Sequence, residues 1–81
     1  HRSLSCSHVH WITGKIPESE TLSAKIRYRA QDAPCKIKTT AEQSISVVFE
    51  KPQFAIAPGQ SIVFYEHGIC LGGAVIDSRW N

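Results

Sequence analysis

Hydrophobic and polar residues alternate along most of this chain, in short runs broken about every ten residues. Residues 24–29 show it best: Ala24, Ile26 and Tyr28 fall on one side of an extended chain, and Lys25, Arg27 and Arg29 on the other. That period predicts a strand over residues 22–29, with one face in a core and the other a row of cations roughly 7 Å apart. Residues 35–39 repeat the pattern, with Cys35 and Ile37 opposed to Lys36 and Lys38. In residues 44–50, Ile45, Val47 and Phe49 face inward, while Val48 on the other side needs cover. Residues 9–13 are β-branched and aromatic, the composition of a strand. Residues 61–66 are apolar on both faces, which suits burial between layers or inside a barrel. Residues 69–77 carry Gly72-Gly73 in their middle, the place for a bulge, a bend or a close backbone approach.

The breaks between these runs are as informative. Gly14 and Pro17 close the first run, residues 18–21 are a polar connector, and residues 30–34 and 40–43 read as turns. Pro52 stops the fourth run because proline cannot donate to a strand ladder. Residues 51–58 then form an irregular crossing whose Phe54 and Ile56 roof one end of the core. Pro58-Gly59 fits the central positions of a type II turn, which displays Gln60 in a fixed place. His67-Gly68 signals a hairpin, and residues 78–81 read as a loose end. Six short strands so spaced predict an all-β fold, a small six-stranded antiparallel β-barrel that leaves no exposed sheet edge. A hairpin between the second and third strands would extend the cation row begun by Lys25.

Composition narrows this picture. A chain of 81 residues supports one domain, residues 1–81 with the barrel at about 9–77, and has room for one modest core and no large active site. Hydrophobic content of 42% with 20% charge indicates a folded chain. No apolar run approaches 18 residues and no apolar signal region follows His1-Arg2-Ser3, so a soluble protein without membrane or secretion signals is expected. The chain contains no Met, which suggests a piece of a longer protein. Net charge is +2 but uneven: residues 25–38 hold five cations against Asp32, a net of +4, while the rest hold four cations and six anions, −2. A local basic patch of this kind is an electrostatic footprint for a polyanion.

Three cysteines without paired spacing read as free thiols, Cys35 and Cys70 as small core residues. Cys6, His8 and His10 lie at period two and would share a strand face, offering ligands to a soft metal with His67 or Cys70 as a distant fourth. Structural zinc sites show tighter paired spacing, so the reading here is a plain surface or half-buried set and no metal site. No local motif supplies a base for a nucleophilic cysteine, so no catalytic residue is expected.

Five stretches in register carry a resemblance: residues 24–29 (Ala-Lys-Ile-Arg-Tyr-Arg), 33–35 (Ala-Pro-Cys), 49–53 (Phe-Glu-Lys-Pro-Gln), 58–65 (Pro-Gly-Gln-Ser-Ile-Val-Phe-Tyr) and 70–76 (Cys-Leu-Gly-Gly-Ala-Val-Ile). In that order and spacing they resemble the C-terminal domain of the bacterial tRNA-specific 2-thiouridylases, over residues 10–77. The resemblance implies a β-barrel similar to the second domain of elongation factor Tu. It also implies a cytoplasmic, ATP-dependent tRNA-uridine 2-sulfurtransferase that thiolates the wobble uridine of tRNAs for lysine, glutamate and glutamine, with sulfur from a persulfide relay. The ATP site, with its Gly-rich phosphate loop, and the two catalytic cysteines belong to the family's upstream segments, so no cofactor is expected in this portion.

What the family assigns to this portion is contact with tRNA, which maps onto Arg27, Tyr28 and Gln60. Arg27 suits that role as a forked phosphate donor on the basic face. Tyr28 lies opposite Arg27 by alternation, so it joins the contact at the barrel's rim or through its backbone, or else is a core aromatic. Charge alone adds Lys25, Arg29, Lys36 and Lys38 as auxiliary phosphate contacts. The alternative is a structural cap or protein-docking scaffold with no tRNA contact, its sensitive patch at residues 54–56.

Overall fold

The computed structural model describes residues 2–17, 21–26, 32–41, 43–53 and 56–80. Period-two alternation becomes a wall with an apolar inside and a polar outside. Its six strands are β1 (Ser3–Trp11), β2 (Thr21–Lys25), β3 (Ala33–Ala41), β4 (Ser44–Phe49), β5 (Ser61–Glu66) and β6 (Ile69–Trp80). They close into a barrel in the order β1-β4-β3-β2-β5-β6, every neighbouring pair antiparallel. The expected all-β barrel is therefore the fold. No helix among the described residues is long and apolar enough to cross a membrane.

The inward positions are those the alternation marked. Ile45, Val47 and Phe49 of β4, Ile62 and Phe64 of β5, and Cys35 and Ile37 of β3 are all buried. Leu22 and Ala24 of β2 join them, so the inner face of the second strand is as expected as far as it is described. Among the described residues no polar or charged side chain is buried. Ile56 is buried over one end of the core, as expected of the crossing; Phe54 lies outside the described residues. Trp11 of β1 packs its ring on Phe64, with centroids 5.5 Å apart.

Two strands are longer than the pattern suggested, and the same contact explains both. β1 starts at Ser3, six residues before Val9, and residues 78–80 are strand and not a loose end. Ser3, Leu4 and Ser5 pair with Trp80, Arg79 and Ser78, so each terminal segment completes the other's ladder. The inner face of the early β1 is Leu4 and Cys6, alternating with Ser3, Ser5 and Ser7. Likewise β3 begins at Ala33 and runs to Ala41, absorbing residues that read as turn. Pro34 is tolerated there close to the strand's start.

The turns follow their chemistry. His67 and Gly68 both have positive φ, 51° and 78°, the requirement of a two-residue hairpin that keeps the strand twist. Gly72 and Gly73 sit where neighbouring strands approach closely. A Cβ on Gly72 would collide with the His10 carbonyl oxygen and come within 2.9 Å of Trp11 Cα, and one on Gly73 would lie 2.9 Å from the Ile62 carbonyl oxygen.

Candidate nucleic-acid interface

Gln60 stands at the entrance to β5, and its geometry is set by the turn before it. Gly59 has φ 89°, and the Gln60 N–H donates to the Ala57 carbonyl at 3.3 Å, as in the type II turn expected from Pro58-Gly59. The turn is tied to β6 twice, by Gly59 N–H to the Ile76 carbonyl (2.8 Å) and Ile76 N–H to the Gln60 carbonyl (2.9 Å). The Gln60 side chain closes the loop: Ala57 N–H donates to its Oε1 at 2.8 Å. A backbone N–H can only donate, so the facing atom must be the amide oxygen. That leaves the half-buried residue's NH2 as its remaining hydrogen-bonding group, a pair of donors suited to a phosphate oxygen, a ribose hydroxyl or a base carbonyl.

Arg27, Tyr28 and Arg29 lie outside the described residues. The adjoining part of β2 is informative all the same. Its register with β5 runs from Ser23↔Tyr65 to Lys25↔Val63, so at Lys25 the strand is heading toward the Gln60 end of β5. Lys25 itself is half-buried, with its Nζ 5.5 Å from the centre of the Tyr65 ring. This cation–π contact holds the ammonium against the wall and makes Tyr65 part of the basic face. Sequence reasoning missed Tyr65, since only the β2–β5 pairing brings the two together.

Lys36 and Lys38 are exposed on the outer face of β3. The expected hairpin pairing of β2 with β3 exists, with Lys36 opposite Thr21. Lys36 therefore sits four residues along the pair from Lys25, about 13 Å. The cations spread over the wall and do not form one tight cluster.

The remaining candidate chemistry is divided by burial. Cys6 is buried while His8 and His10 are exposed, so the three do not share a face. The cause is a pair of irregularities: β1's register with β6 shifts between Ser5 and Cys6 and again between Ser7 and His10, and His8 has φ 53°. Among the described residues no three His, Cys, Asp or Glu side chains converge on a point that could hold a metal. Burial pushes the Cys6 thiol up to about 12, with the Asp77 charge adding to it, and pushes Cys35 up to about 12, with Cys6 adding to it. Neither supplies a thiolate at neutral pH. Cys35 is the core residue expected, but Cys70 is exposed and not part of the core. The register shift between Phe64 and Tyr65 explains this: it sets Cys70 opposite Tyr65 on the outer face, while Gly72, opposite Phe64, is turned inward. Gly72-Gly73 holds strands together and leaves no cradle for a phosphate, so these residues do not fit an ATP site.

Comparison with known proteins agrees with this architecture. The family model described as an aminomethyltransferase beta-barrel domain matches residues 1–76. The tRNA-specific 2-thiouridylase MnmA of Francisella philomiragia is 45% identical over 75 residues, 91% of this chain and 21% of that protein. The protein of the same name from Chromohalobacter salexigens is 46% identical over 80 residues (98% and 21%), and that from Ruthia magnifica is 49% identical over 79 residues (98% and 22%). The chain spans about a fifth of the length of these relatives. The resemblance to the 2-thiouridylases is thereby borne out, and the chain belongs to the aminomethyltransferase β-barrel domain family.

Proposed function

We propose that this barrel is the tRNA-holding module of a tRNA-uridine 2-sulfurtransferase, and that it contacts the tRNA backbone through Arg27, Tyr28 and Gln60. The supporting observation is the Gln60 turn: two backbone bonds to β6 and one to its own Oε1 leave the amide donors in a fixed place, at the end of β5 toward which β2 heads. A donor fixed before binding loses little freedom on contact. Lys25, Arg29, Lys36 and Lys38 add phosphate contacts from the wall. On this reading the substrates are the tRNAs for lysine, glutamate and glutamine, read at the wobble uridine by other parts of a cytoplasmic enzyme. ATP and the persulfide sulfur donor act there too, and nothing in this chain is catalytic.

A hydrogen bond to a charged group contributes roughly 1.5 to 3 kcal/mol. Three to five such contacts without base readout place affinity in the nonspecific range, about 10⁻⁴ to 10⁻⁶ M at physiological salt. The barrel then acts by avidity within the larger enzyme. The test is a titration of the 81-residue chain with unmodified tRNA at several salt concentrations, beside an Arg27→Ala, Gln60→Ala double variant. Weak, salt-sensitive binding that drops in the variant is expected. No binding even at low salt would overturn the reading in favour of a docking scaffold. The scaffold reading has its own supporting observation, since Ile12 and Ile16 are exposed at the end of the barrel away from Gln60, Ile16 beside a depression of about 240 Å³ also lined by Val9 and Trp11.

A further inference from the structure

Starting two residues along β6 from the Ile76 that bonds to the Gln60 turn, the strand registers draw two straight rows across the outside of the barrel. Lys36 is opposite Val48, Val48 opposite Ser3, and Ser3 opposite Trp80. Two residues along, Lys38, Ser46, Ser5 and Ser78 form the second row. Directly opposed residues share a face, so all eight belong to one surface about 15 Å across, three strand spacings. Its apolar members are unusually open, Val48 at 43% and Trp80 at 46% exposure. Its polar members are four serines and two exposed lysines, and the Ser5 and Ser78 hydroxyls bond to each other. Neither lysine is ion-paired with a described residue. None of the eight is a carboxylate. Two described acids border the patch: Asp77 sits in the β6 bulge, accepting from Ser7 Oγ at 2.9 Å, and exposed Glu50 follows β4.

We propose that this β3-β4-β1-β6 face binds an unpaired stretch of RNA, with a base stacked on Trp80 against Val48 and the neighbouring phosphates on Lys36 and Lys38. An indole offers a π-face to any base, and the small serines beside it let a strand approach the wall closely. Paired lysines at one edge supply the charge that a backbone needs, while the absence of acids within the rows removes repulsion. The span of about 15 Å suits a strand of two to three nucleotides; a duplex, whose bases are already stacked, has none to offer Trp80. Gln60 is not a member of this surface but lies beside its β6 edge, and Lys36 and Lys38 serve both readings, so Trp80 is the residue that tells the two sites apart.

The experiment is fluorescence anisotropy of a fluorescein-labelled uridine decamer titrated with the 81-residue chain, beside a labelled RNA duplex of equal length. Single-strand binding stronger than duplex binding is expected. Trp80→Ala weakens it about tenfold, and Trp80→Phe, which keeps a ring, restores most of it. Lys36→Gln with Lys38→Gln lowers the salt slope by about 1.4, two contacts' worth for a single strand. The Arg27→Ala, Gln60→Ala variant retains the decamer. Equal binding of duplex and single strand, or Trp80→Ala binding as wild type while melting normally, would overturn the proposal. So would loss of the decamer in the Arg27, Gln60 variant, which would assign all RNA binding to that end. Failure of the decamer to bind at low salt, together with concentration-dependent self-association lost in Trp80→Ala, would assign the face to a second copy of the chain.

Discussion

The inside and the outside of this barrel are made by the same strands but answer to different constraints. Inside, Leu4, Val47, Phe49, Ile62 and Phe64 are fully buried, and no polar side chain among the described residues is buried with them. Outside, the same strands carry lysines, serines, a tyrosine under a lysine and an open tryptophan. The inner face is selected for volume and the outer for what it meets. A substitution inside should therefore be read as stability, and one outside as affinity.

The largest test of that division is Phe64→Ala, which should lower stability by about 3 to 5 kcal/mol in chemical denaturation, because it removes a fully buried ring and Trp11's partner. Next is Gly72→Ala: its Cβ meets the His10 carbonyl with no room to yield, so a loss of about 3 kcal/mol is expected. Gly59→Ala is the control, since nothing lies within 4 Å of its Cβ and only the left-handed φ opposes it, at about 1 kcal/mol. A further effect should appear with pH. Cys6 and Cys35 are raised on folding from 9.0 to about 12, so their contribution is complete below pH 9 and lost as pH rises toward 12. Stability should fall by about 1.4 kcal/mol per thiol per pH unit in that window, and Cys35→Ala should halve the slope. Gln60→Ala removes an acceptor from the Ala57 N–H and should cost about 0.5 to 1 kcal/mol. Lys36→Gln should change stability by less than about 0.5 kcal/mol. If its melting shifts like that of Phe64→Ala, the division fails.

What was legible in the sequence follows the same line. β5 begins and ends where its pattern predicts, because a dense apolar run between Pro58-Gly59 and His67-Gly68 leaves no other reading. β4 is nearly as clear, stopped by Pro52. The two ends of the chain were not legible. Ser3 and Ser5 look like loop residues, and they form strand because Val48 and Ser46 of β4 lie on one side of them and Trp80 and Ser78 of β6 on the other, pairings across more than forty and more than seventy residues that no local window contains. The bulges were equally hidden: they turn Cys70 outward and break up the Cys6, His8, His10 set, and only partner strands reveal them. At the candidate site, the turn before Gln60 was readable from Pro58-Gly59 alone, whereas Lys25 over Tyr65 and the row from Lys36 to Trp80 needed the barrel to close.

The pairing of Ser3 with Trp80 also has a mechanical consequence. Antiparallel ladder bonds run perpendicular to their strands. A pull applied at Ser3 and Trp80 therefore loads the β1-β6 bonds one at a time, from the rim inward, and never all together. Under tension from its two ends the barrel opens like a zipper, at low force, with β1 and β6 parting first and the β5-β6 hairpin still closed.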